Sequence, residues 1–187
     1  MSTAPLAILR DLIARCPEIT QTLAACRAVG LPEHYVAGGV VTQVLWNHLE
    51  GRAPLEQVRD IDVVYFAPDE DAEAERARQA AMVARVEHSV PIDVVNQARV
   101  HTWYGDRYGH PIAPLTSTEA GIDGWLSAFA IGVRGTDPVA VYAPLGLDDA
   151  FAQRLRPNRQ VMRQASYEAI AAGAVQRWPA VTVLPWR

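Results

Sequence analysis

The sequence predicts a mixed α/β (α+β) fold in which helices flank a central mixed β-sheet. Three short apolar segments, 34–37, 60–66 and 91–95, have the composition of strands. Between and around them lie amphipathic or Ala-, Glu- and Arg-rich segments that favour helices. No linker-like stretch interrupts this alternation, so one domain spanning residues 1–187 is expected.

Residues 1–30 are predicted to form two N-terminal helices. The apolar residues that recur at helical spacing in the first helix are Leu6, Leu9, Leu12 and Ile13. A second helix is expected at about 18–28 and ends at Gly30, because glycine commonly terminates helices. Charged residues interrupt the first segment, which therefore does not have the continuous apolar core of a signal peptide.

Residues 31–97 are expected to hold the core motifs. In chain order, the predicted elements are a strand at 34–37, a helix at 40–49, a strand at 60–66, a helix at 70–87 and a strand at 91–95. Gly51 ends the first of these helices, and Pro68 breaks the chain after the middle strand. The continuous apolar run in that strand is typical of a buried central strand.

Residues 98–187 are expected to pack on this core. The aromatic and glycine-rich segment 98–114 predicts no regular element. Ser117 and its flanking threonines precede Glu119 in a pattern typical of a helix N-cap. The remaining predicted elements are a hairpin of strands 127–133 and 139–142 and a final helix at 160–177.

The composition restricts the classes of function. Half of the 187 residues are hydrophobic and a fifth are charged, as in ordinary globular proteins. No apolar run approaches the ~20 residues that span a bilayer, and Cys16 and Cys26 have no metal or redox spacing, so a cytoplasmic location is expected. The net charge of -4 disfavours binding to extended nucleic acid. All 17 basic residues are arginine, which excludes catalysis by lysine.

Asp60 and Asp62 are the first candidate catalytic residues. Side chains alternate along a strand, so both carboxylates project from one face, whereas Ile61 and Val63 point to the other face. Two ionised carboxylates at this spacing repel each other, and a magnesium ion between them removes the repulsion. Two incidental acids at the start of an exposed strand would give the same pattern.

Asp93 and the glycine pair extend this pattern. Asp93 lies in an apolar strand, where a lone buried carboxylate is costly, although an edge strand could turn it to water. If that strand pairs beside the first two acids, three carboxylates converge, as in a two-metal site. Gly38 and Gly39 lie between a strand and a helix, where backbone N–H groups could bind phosphate. A turn that needs glycine for steric reasons is the alternative.

Three motifs in this order resemble the signature of DNA polymerase beta-like nucleotidyltransferases. They are His34-Tyr-Val-Ala-Gly-Gly39, Asp60-Ile-Asp-Val-Val64 and Ile92-Asp-Val94. The chain from about 31 to 186 also resembles a bacterial branch of that superfamily. The further segments that carry this likeness are 96–104, 143–149, 156–158 and 177–179.

The resemblance implies roles for the five motif residues. Asp60 and Asp62 would bind two magnesium ions, or manganese in their place, and Asp93 would complete the metal site nearest the acceptor hydroxyl. Gly38 and Gly39 would hold the triphosphate. Where many relatives have serine or another polar residue after the glycines, this chain has two valines.

The implied activity is transfer of a nucleoside monophosphate from a nucleoside triphosphate to a hydroxyl of a small-molecule or protein acceptor. The alternatives are a catalytically inactive nucleotide-binding or partner-binding module on the same fold, and a metal-dependent phosphohydrolase. The first would bind nucleotide without releasing diphosphate, and the second would turn over nucleotide without an acceptor.

Several other residues have two interpretations. Asn96, Arg99 and His101 could contact phosphates, or they could cap and hold an irregular segment. The arginines of 154–159 could bind phosphate or belong to a solvated loop. Four of the five tryptophans could stack on a base but are expected to be core or shell residues; they are Trp103, Trp125, Trp178 and Trp186.

Overall fold

A computed structural model describes residues 3–187. Its helices are α1 (Thr3–Ala14), α2 (Pro17–Val29), α3 (Gly39–Leu49), α4 (Ala72–Val83), α5 (Tyr104–Tyr108), α6 (Thr118–Asp123), α7 (Asp148–Phe151) and α8 (Gln164–Arg177), with a 3₁₀ helix at Gln97–Thr102. Its strands are β1 (Tyr35–Ala37), β2 (Ile61–Tyr65), β3 (Ile92–Asn96), β4 (Gly132–Arg134), β5 (Ala140–Tyr142), β6 (Arg154–Leu155) and β7 (Thr182–Val183). Each helix within this part of the chain is too short or too polar to span a bilayer.

A mixed sheet of five strands organises the fold, in the order β3-β2-β1-β4-β5. Strands β2 and β3 are parallel, and the other neighbours in this sheet are antiparallel. The crossover from β2 to β3 contains α4, as a parallel connection requires. Strands β6 and β7 form a separate two-stranded parallel sheet. The predicted mixed sheet flanked by helices is confirmed.

The two faces of the large sheet differ in chemistry. One face carries the main apolar core, in which Ile61 and Val63 of β2 are fully buried together with Leu9 and Ile13 of α1. The opposite face carries Asp62 and a smaller apolar cluster. Because alternate strand residues point to opposite faces, burial of the apolar set places Asp62 on the second face.

Most predicted elements before residue 97 are present with shifted ends. Gly30 ends α2 and Gly51 follows α3, both with a φ near +70° that favours glycine. In the second half of the chain, Ser117 caps α6 by accepting a hydrogen bond from the N–H of Ala120 at 3.1 Å. The predicted hairpin forms as β4 and β5, but its first strand is restricted to Gly132–Arg134. Helix α7 and the β6–β7 pair are not indicated by any sequence pattern.

A buried polar contact joins the C-terminal part to α3. Asn47 is fully buried, and its amide donates to the carbonyl oxygens of Pro54 and Glu56 at 2.9 and 2.8 Å. Its side-chain oxygen accepts from the indole N–H of Trp178 at 2.7 Å. Trp178 itself is fully buried and packs edge-on against Trp46. All the hydrogen-bonding groups of the Asn47 amide are thus directed at fixed partners, which holds the end of α8 on the core.

Asn47→Ala is expected to destabilise the protein by about 2 to 4 kcal/mol, because it leaves the buried indole N–H and two carbonyl groups without their partner. Urea unfolding followed by circular dichroism measures the change. His48→Ala, at the exposed next position of the same helix, is the control and should change stability by less than about 0.5 kcal/mol. Equal effects of the two substitutions would contradict this role of Asn47.

Candidate active site

The sheet brings the sequence-predicted residues onto one row. Asp62 of β2 is the register partner of Asp93 in the parallel neighbour β3. On its other side Asp62 pairs with Ala37, the residue directly before the glycine pair. In-register neighbours point to the same face of a sheet, with strands about 4.8 Å apart. Asp93 and the glycine pair therefore flank Asp62 from opposite sides.

Asp60, Asp62 and Asp93 line one cavity of about 460 Å³, which we call the acidic cavity. Asp60 lies directly before β2 and is exposed, as is Asp93, whereas Asp62 is half-buried. A fourth acid in the wall, Glu75, is already engaged by the backbone N–H of Asn96 and by Arg99. The three predicted acids therefore meet at one place.

The surroundings of Asp62 disfavour its charge. Burial, and then the neighbouring charges of Asp60 and Asp93, raise the pKa of Asp62 from 3.8 to about 7. Near neutral pH a large fraction of this carboxyl group is therefore protonated unless a cation compensates the negative charges. This is the electrostatic setting in which a divalent cation binds with release of a proton.

The donor set suits magnesium, but the side chains do not form a complete metal site as they stand. Carboxylate oxygens are the hard ligands that magnesium prefers, and all three carboxylates face the same cavity. Within residues 3–187, however, no group of three or more His, Cys, Asp or Glu side chains is arranged so that it could hold a metal ion. Asp62 and Asp93 are in register on neighbouring strands, whereas Asp60 lies just before the paired part of β2.

The glycine pair lies at the start of α3, as predicted. Gly38 has a φ of +73° and donates its N–H to the carbonyl of Ile131 at 2.9 Å. A Cβ atom on Gly38 would lie 2.9 Å from the ring of Trp125, so a side chain at this position would collide with the indole. Glycine is therefore needed here for steric and conformational reasons. The first N–H groups of α3, from Gly39 onwards, have no acceptor within the helix and could still meet an anion.

A second cavity of about 350 Å³, which we call the glycine cavity, opens beside these residues. Gly38 and Gly39 line it, together with apolar residues of the C-terminal part such as Leu126, Met162 and Ile170. The residues that line both cavities are Asp62, Tyr104, Tyr108 and Trp125. The two cavities are therefore adjoining halves of one cleft, with Asp62 between them.

The tyrosines of this cleft, Tyr104 and Tyr108, are the main site feature that sequence reasoning missed. Trp103 and Trp125 are half-buried and line the cleft. Trp125 also packs on the smaller apolar cluster, as expected of a shell residue. That expectation holds for Trp178, which is fully buried, and for Trp186, which packs on Tyr167. The only sequence signal was the aromatic content of 98–114, which folds into the 3₁₀ helix and α5.

Asn96, the last residue of β3, and Arg99 after it have structural roles. Asn96 is fully buried; it accepts from the N–H groups of Ala67 and Ala98 at 3.1 Å and donates to the carbonyl of Ala67 at 2.8 Å. Arg99 forms an ion pair with Glu75 at 3.0 Å. The ring of His101 is half-buried, and its Nδ1 has no hydrogen-bond partner among the described residues. For Asn96 and Arg99 the contacts support the interpretation that they hold an irregular segment.

The arginine segment at 154–159 surrounds a buried carboxylate. Asp149 is 8% exposed and accepts hydrogen bonds from Ser127, Arg154 and Arg156 at 2.5 to 2.9 Å. Burial alone would raise the pKa of Asp149, but the bonds from Arg156, Ser127 and Arg154 outweigh it and hold the pKa at about 2. These two arginines are engaged within the fold, away from both cavities of the cleft.

Comparison with known proteins gives two matches. Residues 24–183 match the model of a family described as nucleotidyltransferase. Among solved structures, the chain is similar to one described as an NMR structure that reveals a CCA-adding enzyme head domain, with a TM-score of 0.78, 22% sequence identity, and coverage of 94% of each chain. A likeness at this identity is one of fold. A search of curated proteins found no significant match.

Asp62→Asn is expected to stabilise the metal-free protein at pH 8. The pKa of Asp62 is raised on folding, so its protonated form stabilises the fold fully below about pH 4, and this stability is lost as pH rises through about 7. Removing the charge should raise the free energy of unfolding by at most about 4 kcal/mol at pH 8, and by less at pH 5. Urea unfolding in the presence of EDTA measures this change in stability. Asp69→Asn, at an exposed turn residue, is the control. A lower stability of Asp62→Asn than of the parent protein at pH 8 would contradict the expectation.

Asp149→Asn should lower stability by about 2 kcal/mol at pH 7. The pKa of Asp149 is depressed on folding, so its contribution is present above about pH 4 and is lost as pH falls through about 2. In urea unfolding, the difference in free energy of unfolding between Asp149→Asn and the parent protein should therefore be smaller at pH 3 than at pH 7. Asp148→Asn, at the exposed neighbouring position, should show no such pH dependence. A pH-independent effect of Asp149→Asn would refute this linkage.

Proposed function

The chain belongs to the nucleotidyltransferase family that residues 24–183 match, and from this premise we propose that it transfers a nucleoside monophosphate from a nucleoside triphosphate to a hydroxyl of an acceptor molecule. The predicted likeness to the polymerase beta-like superfamily is confirmed by that match and by the shared fold. The observation that carries the proposal is the in-register placement of Asp93 beside Asp62, with Asp60 on the same cavity wall.

Asp60, Asp62 and Asp93 would hold magnesium. The metal would supply positive charge against the phosphate oxygens of the nucleotide and lower the pKa of the acceptor hydroxyl. The carboxylates contribute position and charge: Asp62 belongs to both halves of the cleft, and Asp60 and Asp93 belong to the acidic half. Asp62 would thus lie where donor and acceptor meet, and Asp93 on the acceptor side.

The donor triphosphate would occupy the glycine half of the cleft. The free N–H groups at the start of α3 favour an anion. In the reaction the acceptor oxygen forms a bond to the α-phosphorus while the bond to the bridging oxygen breaks. Diphosphate leaves, and the hydroxyl proton passes to a carboxylate of the acidic cavity or to water. Alignment and charge neutralisation would carry most of the rate enhancement.

The aromatic walls favour a flat donor group. Trp125, Tyr104 and Tyr108 line both halves of the cleft, and aromatic faces of this kind stack on nucleobases. The likeness to a CCA-adding enzyme head domain is one of fold and carries no acceptor to this chain. A small-molecule or protein acceptor agrees with the net charge of -4, which gives no general attraction for a polyanion.

Isothermal titration of the full chain with non-hydrolysable analogues of the four common nucleoside triphosphates tests the proposal. We expect binding that requires magnesium and is abolished by EDTA. Asp62→Asn and Asp93→Asn should each weaken it at least about 10-fold, because each removes one carboxylate from the metal-binding set. Asp69→Asn, outside both cavities, should bind like the parent protein.

Diphosphate release from hydrolysable nucleotides with a panel of hydroxyl acceptors separates the enzyme from its alternatives. An inactive nucleotide-binding module would bind nucleotide, release no diphosphate and be unaffected by Asp93→Asn. A phosphohydrolase would consume nucleotide without acceptor. The absence of any magnesium-dependent nucleotide binding by the parent protein would overturn the proposal.

A further inference from the structure

The acidic cavity contains an arginine that is not paired with any of its acids. Arg107 of α5 lines this cavity together with Asp60 and Asp93. Within residues 3–187 its guanidinium forms no ion pair. It lies instead over the rings of Trp103 and Tyr108, 5.9 and 5.6 Å from their centroids. Aromatic faces thus hold this cation near the carboxylates and leave its hydrogen-bond donors available to an anion.

Gln97 provides a second, independent indication of a ligand. It is only 4% exposed, it lines the same cavity, and its amide forms no hydrogen bond to any residue within 3–187. Its Oε1 is packed against Gly121, where an added Cβ would lie 2.0 Å from that oxygen. Neither polar atom of this amide is both fully buried and without a partner among the described residues, so the amide is accessible from the cavity. An amide in this position can donate its N–H groups to water or to a ligand that enters the cavity.

The positions of Arg107 and Gln97 indicate that their N–H groups would contact the acceptor molecule and not the nucleotide. Both line the acidic cavity with Asp93, and neither lines the glycine cavity. On the proposed function, the donor triphosphate occupies the glycine half and the acceptor hydroxyl lies beside Asp93. Arg107 is exposed and water can reach it, but a guanidinium and an amide N–H on the same cavity wall match an oxyanion better than a neutral group.

We infer that the acceptor carries an anionic group, a phosphate or a carboxylate, near its reacting hydroxyl, and that Arg107 and Gln97 bind this group. The inference rests on the proposed function for the identity of the acceptor side. Magnesium held by the carboxylates would reduce the negative charge of the cavity and so favour entry of an anion. Arg107 then selects charged over neutral hydroxyl compounds, which makes it a specificity-determining residue.

Titration of inorganic phosphate and of acetate into the full chain, saturated with magnesium and a non-hydrolysable nucleoside triphosphate, tests this inference by calorimetry. We expect Arg107→Ala to weaken binding of the anion at least 10-fold and Arg107→Lys to have an intermediate effect, while nucleotide affinity stays unchanged. Gln97→Ala should weaken anion binding several-fold. Arg10→Ala, at an exposed arginine of α1 that lines neither cavity, is the matched control and should change nothing.

The outcomes separate the two proposals. Binding of phosphate alone supports a phosphorylated acceptor, and binding of acetate supports a carboxylated one. Anion affinity that is equal in the parent protein and Arg107→Ala overturns the inference, as does absence of anion binding. A parallel loss of nucleotide affinity in Arg107→Ala also overturns it, because the arginine would then serve the donor. If no nucleotide binds, the proposed function fails, and phosphate titration with magnesium alone still decides whether Arg107 binds an anion.

Discussion

The in-register parallel pairing of β2 with β3 is the constraint on which the site depends. Ile61 and Val63 are fully buried on one face of the sheet, so a slip of one residue would move both to the other face. The cost of exposing them locks the register. Asp62 and Asp93 then come side by side as a consequence of core packing, although their mutual repulsion opposes that arrangement.

The structural role of the glycine pair depends on a residue that is distant in sequence. Gly38 adopts a positive φ and leaves room for the ring of Trp125, which comes from a turn more than 80 positions later in the chain. That ring forms part of the wall between the two halves of the cleft. The local strand–glycine–helix pattern therefore allows the close approach of an aromatic wall to the start of α3.

The cleft also depends on the docking of α8. Ser166 and Ile170 of this helix line the glycine cavity, while Trp178 at its end is held by Asn47 of α3. Tyr167 adds hydrogen bonds from its hydroxyl to the carbonyls of Leu155 and Leu184 at 3.0 and 2.6 Å. Buried polar contacts of this kind orient one helix uniquely, which apolar packing alone does less well. The C-terminal part of the chain thus completes a site whose acids come from the first half.

The sequence by itself determined the order of elements up to β3 and the face of β2 to which Asp62 belongs, because strand alternation and helical spacing are local properties. The family likeness rested on the order of three short motifs along the chain. Only the tertiary structure decided that Asp93 is the register partner of Asp62, that Asn96 is a buried cap, and that segment 98–114 supplies a cleft wall. Those positions follow from contacts between segments far apart in sequence. No local periodicity encodes them, since the same aromatic residues would suit a core equally well.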